Sequence, residues 1–88
     1  MKTFAQLKRD IKEGSLIKTI LNNIKPEKNG EIRKIGKVQS NAIAFETIKG
    51  KLSWLWWGKA SQYEYEGNIF KVFDNNKNLC FVYEIMEE

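Results

Sequence analysis

Residues 52–57 read Leu-Ser-Trp-Leu-Trp-Trp, and this run constrains the fold more than any other stretch of the chain. It is bounded by Lys49-Gly50-Lys51 on one side and Gly58 on the other, so it is a short segment between breakers and reads as a strand. Successive side chains of a strand point to opposite faces. Leu52, Trp54 and Trp56 therefore share one face, and Ser53, Leu55 and Trp57 share the other. Both faces are apolar, while the interior of a small β domain accepts only one of them. The strand needs a second apolar neighbour, or it leaves a tryptophan exposed.

The N-terminus offers that neighbour. Thr3 followed by Gln6 has the spacing of a capping box. Phe4, Leu7 and Ile11 form one helical stripe, and Gly14 supplies a stop. A helix is expected over residues 3–13, covering the second face of the tryptophan strand. After Gly14 the pattern becomes extended: 16–21, 31–40, 42–47, 52–57, 63–65, 69–73 and 79–85. Turn signals separate these segments at Asn29-Gly30, Ser40-Asn41, Lys49-Gly50-Lys51, Glu66-Gly67-Asn68 and 74–78. A single helical turn fits residues 60–62. In 31–40 the apolar residues Ile32, Ile35 and Val38 come at steps of three, and a bulge at Gly36 would reconcile them with a strand.

The expected class is mainly β (α+β). An N-terminal helix within 1–14 packs on a highly curved antiparallel sheet, or small partly open barrel, of about five to six strands over 15–88. A chain of 88 residues makes one domain. At this size the buried fraction of surface is modest, and large aromatic side chains matter because each buries a lot of apolar area.

Several function classes are poorly supplied. There is no histidine, the commonest general base and metal ligand, so neither a metal nor a cofactor is expected. Cys80 is the single cysteine and cannot form an internal disulfide. Its neighbours Leu79, Phe81 and Val82 suit a small half-buried hydrophobe rather than a catalytic thiol. Glu64 and Glu66 are paired on one strand face, but alternation with Tyr63 and Tyr65 explains them more simply as Glu out, Tyr in. No catalytic residue is assigned. The opening residues lack an apolar leader, and the longest apolar stretch is too short to span a bilayer, so a cytoplasmic protein without a membrane partner is expected.

Charge is uneven. Residues 1–40 carry ten Lys/Arg against four Asp/Glu, and residues 41–88 carry five against seven. Such asymmetry marks either a solvated lysine surface or a face that meets an acidic partner. Two binding readings follow. In the first, a protein partner docks on an exposed tryptophan, with Trp57, Tyr63, Tyr65 and Lys59 as the expected anchors. In the second, Arg33, Lys34, Lys37, Lys49 and Lys51 contact nucleic acid, with nearby aromatics stacking on bases.

Two stretches carry a resemblance. One is Thr3-Phe4-Ala5-Gln6-Leu7-Lys8-Arg9 with Lys37-Val38-Gln39-Ser40-Asn41-Ala42; the other is Ser53-Trp54-Leu55-Trp56-Trp57-Gly58-Lys59-Ala60-Ser61. Together they resemble small uncharacterised proteins carried by phages, plasmids and integrated elements of low-GC Gram-positive bacteria. The bias towards Lys, Asn and Ile is consistent with AT-rich coding. The resemblance implies a mobile-element accessory protein, of a kind that often binds a host protein or nucleic acid, and it assigns no functional residue.

Overall fold

A computed structural model describes residues 1–47 and 49–86. Among the described residues there is one α-helix, α1 (Phe4–Asp10). Seven strands follow: β1 (Leu16–Asn22), β2 (Ile32–Gln39), β3 (Ala42–Glu46), β4 (Leu52–Trp56), β5 (Tyr63–Glu66), β6 (Ile69–Phe73) and β7 (Leu79–Met86). All pairings are antiparallel, in the order β4-β3-β2-β1-β7-β6-β5. The count is seven rather than five or six, because the short segment Tyr63–Glu66 pairs along its whole length with β6. The sheet does not close, so β4 and β5 are its edges.

Curvature is visible in the aromatic contacts. β3 and β7 are three strand steps apart, roughly 14 Å in a flat sheet. Yet the Phe45 and Tyr83 ring centroids lie 5.7 Å apart. The sheet is therefore strongly curled, with Ile17, Ile35, Ile43, Phe45, Phe70 and Tyr83 on its concave side. Two bulges assist the bend. One skips Gly36 between Ile35 and Lys37, as the spacing of β2 requires, and turns Val38 back towards the core. Ile32 is not part of that stripe; it faces outward and is half exposed. The other bulge lies between Thr19 and Leu21.

The helix is capped as its sequence predicts. Gln6 N–H donates to Thr3 Oγ1 at 3.2 Å, and Thr3 N–H donates to Gln6 Oε1 at 2.9 Å. It ends at Asp10, earlier than expected, because Ile11 turns to extended backbone and buries its side chain. Gly14, at φ +91°, serves the turn into β1 rather than the helix end; its N–H donates to Ile35 O. Leu7 and Ile11 enter the concave core. Phe4 wedges between the two sheet edges, 5.6 Å from Trp57 and 4.7 Å from Tyr63. The helix thus plugs one opening of the curl. No described helix is long and apolar enough to cross a membrane.

Candidate functional site

The side chains of β4 alternate between two faces, but the faces are used differently from expectation. Ile43 pairs with Leu55, which points the Ser53-Leu55-Trp57 parity inward. Trp57 is only 3% exposed and packs edge-on against both Phe4 and Tyr63. Tyr65 is also 3% exposed, with its hydroxyl donating to Asp10 Oδ2 at 2.6 Å. Tyr63 is half-buried in the same cluster. Trp57 and Tyr65 are core and are not available as anchors, a correction to their expected role, and Tyr63 packs partly buried against them. Lys59 is exposed in the turn after β4, where its N–H donates to Gln62 Oε1.

The helix joins this inner face, so nothing of its short stripe is left for the outer one. Leu52, Trp54 and Trp56 stay 42%, 39% and 64% exposed. Their support comes from within the sheet. Trp54 is paired with Ala44 and Trp56 with Ala42, and both alanines are fully buried. Alanine is small enough for the indoles to lie across it. The two indoles stack on each other with centroids 6.4 Å apart. Lys37 follows Ala44 in the same cross-strand row, and Leu52 with Glu46 overlies Gly36. Large aromatics, small supports and flanking lysines thus share one exposed surface on an edge strand.

A second feature is a groove of about 210 Å³ at the concave side of β4. Its walls include Phe45, Trp54, Phe81 and Tyr83, with Lys25, Lys28 and Arg33 as cations. Among the described residues no carboxylate lines it. Arg33 lies 5.0 Å over the Phe45 ring and is ion-paired with Glu31 at 2.7 Å, which offsets part of its charge. Burial pushes the Tyr83 phenol up to about 12, against the opposing pull of Arg33, so Tyr83 is a neutral hydroxyl at physiological pH. The lysines stand on an ordered turn. Asn22 is buried, and its Oδ1 accepts from the N–H groups of Ile24 and Lys25 at 3.0 and 2.8 Å. Asn29 Oδ1 accepts from Asn22 N–H at 2.7 Å, and Pro26–Lys28 forms a 3-10 turn.

The five cations expected to act together are divided by this geometry. Arg33 points into the groove, while Lys34 and Lys37 are exposed on β2, with Lys37 beside the tryptophan row. Lys49 joins Lys28, Glu31 and Arg33 around a neighbouring depression, and Lys51 is exposed just before β4. A single basic face made of all five does not form, because the strand pleat sets Arg33 and Lys34 on opposite sides of β2. Lys25 and Lys28 were not singled out from the sequence, although lysines flanking Pro26 between Asn22 and Asn29-Gly30 are a legible sign of a basic hairpin tip. The pair Ala42 and Ala44 was the available sign that the outer face of β3 supports large neighbours.

Glu64 and Glu66 are exposed and face Lys71 and Ile69 across the sheet, with Tyr63 and Tyr65 turned inward as alternation predicts. Cys80 is half-buried. Among the described residues no three His, Cys, Asp or Glu side chains come together as a metal cluster requires.

Compared with protein-family models, with curated proteins and with solved structures, the chain matches none of them.

Proposed function

We propose that this protein is a non-catalytic binding module that takes an extended segment of a protein partner onto β4. The observation that carries the reading is the exposure of Leu52, Trp54 and Trp56 on an edge strand whose one strand neighbour is β3. An edge strand offers unpaired backbone groups to an added strand, and alternating side chains supply specificity. Tryptophan is the commonest kind of interface anchor. Lys37, Lys49, Lys51 and Lys59 surround the strand, so the complementary segment is apolar on one face and acidic at its flanks. A host or element protein is the partner that suits a mobile-element accessory protein.

The test is selection from a random peptide display library on the immobilised chain. Enriched peptides should alternate apolar residues and carry Asp or Glu at their ends. Trp56→Glu should weaken them by about 30-fold or more, the scale of a lost tryptophan anchor. Enrichment that is unaffected by Trp56→Glu, or the absence of any enrichment, removes the reading.

A further inference from the structure

The groove joins Phe45, Phe81 and Tyr83 to Lys25, Lys28 and Arg33, none of which peptide docking on the outer face of β4 uses. Its aromatic walls stand beside three cations without an intervening carboxylate. About 210 Å³ is smaller than the roughly 300 Å³ at which sites for drug-sized ligands begin. The space therefore suits one planar ring with one anionic group. Arg33 is clamped between Glu31 and the Phe45 ring, and the backbone that carries Lys25 and Lys28 is held by Asn22 and Asn29. Of the neighbouring acids, Glu31 is engaged by Arg33, and Glu27 belongs to the turn without lining the groove.

We propose that this groove binds a single unpaired nucleotide, with the base against Phe81 and Tyr83 and the phosphate held by Lys25, Lys28 and Arg33. Flat aromatic walls favour a base because every base has a π-face to stack. Guanidinium and ammonium groups favour a phosphate. The same chemistry is presented by a free nucleotide and by a residue of single-stranded nucleic acid.

The full chain is titrated by NMR and calorimetry with thymidine 5′-monophosphate, a short oligothymidylate and inorganic phosphate. The expected result is saturable binding of the monophosphate, with shifts centred on Arg33 and Tyr83. Lys25→Glu with Lys28→Glu should lower affinity at least about tenfold and flatten its salt dependence, since each cation removed takes away a phosphate contact. Both lysines lie on a surface turn, and Lys25→Ala gives a milder variant if the double change disturbs folding. Glu64→Gln, on the opposite sheet edge, should leave nucleotide binding unchanged, which separates the groove from a general change of surface charge. A tighter oligothymidylate complex identifies a strand as the source, and equal affinity identifies the free nucleotide; both support the site. The proposal is overturned if no saturation occurs at millimolar ligand, if inorganic phosphate binds as tightly as the nucleotide, or if the lysine variants bind unchanged.

Discussion

At the β5 edge, Glu64 and Glu66 project outward, and Lys2 lies alongside, its N–H donating to Tyr65 O and its Nζ to Gly67 O. The helix packs next to the same strand. At the β4 edge, no charge interrupts residues 52–57, and the outward side chains are Leu52, Trp54 and Trp56. Charge and local cover are common protections against unwanted strand pairing. One edge has both, and the other has lysines only at its ends. The difference marks β4 as the edge at which an added strand would meet the fewest protections.

The contrast can be broken first within β4 and the residue that follows it. Trp57→Ala should cost about 3–5 kcal/mol, because it empties the space between Phe4 and Tyr63. A urea titration measures it, and a small loss would mean that the inner face is not the core. The next largest effect is alkaline. Burial raises the phenols of Tyr65 and Tyr83 to about 12, and raises Tyr63 further. A raised folded-state pKa means that the folded chain holds its proton more tightly than the unfolded chain. Stability is then full below pH 10 and falls from 10 to 12, by up to about 1.4 kcal/mol per pH unit for Tyr83 alone. Urea midpoints at pH 8, 10 and 11 test the sign. Tyr63 has a buried hydroxyl with no partner among the described residues, so Tyr63→Phe should stabilise by up to about 1 kcal/mol and reduce the alkaline slope.

Smaller effects sharpen the outer face. A Cβ on Gly36 would meet Leu52 Cδ2 at 2.7 Å and Glu46 Cγ at 2.8 Å, both on exposed side chains that can swing away. Gly36→Ala should therefore cost only about 0.5–1 kcal/mol, the usual scale of a modest repacking. Trp56→Ala should cost least, within about 0.5 kcal/mol, as expected of a surface site. Thermal melts of the two variants compare them directly. A loss at Trp56 comparable to that at Trp57 would mean that the outer face supports the fold rather than a partner.

Much of the architecture was legible because it depends on near neighbours in the chain. The Thr3–Gln6 box, the turn at Asn29-Gly30, the helical turn at Ala60–Gln62 and the bulge at Gly36 are each set by local backbone preference. The inward position of Tyr63 and Tyr65 against Glu64 and Glu66 follows from alternation alone. The site was less legible. Alternation separates Trp56 from Trp57 but gives no sign of which is inside, and the anchors were expected at Trp57, Tyr63 and Tyr65. The groove joins Lys25 and Lys28 to Arg33, Phe45 and Phe81 from distant segments, so no local pattern announces it.

The tryptophan run by itself determined that the chain would carry a short strand with two apolar faces, because side-chain parity is a property of the extended backbone. Only the tertiary structure decided how those faces are used. The sheet curls until Phe45 meets Tyr83, the helix is drawn into the opening between Trp57 and Tyr63, and its few apolar residues are spent there. What remained outside, Leu52, Trp54 and Trp56, was left exposed by the closure of the core on the other side of the strand.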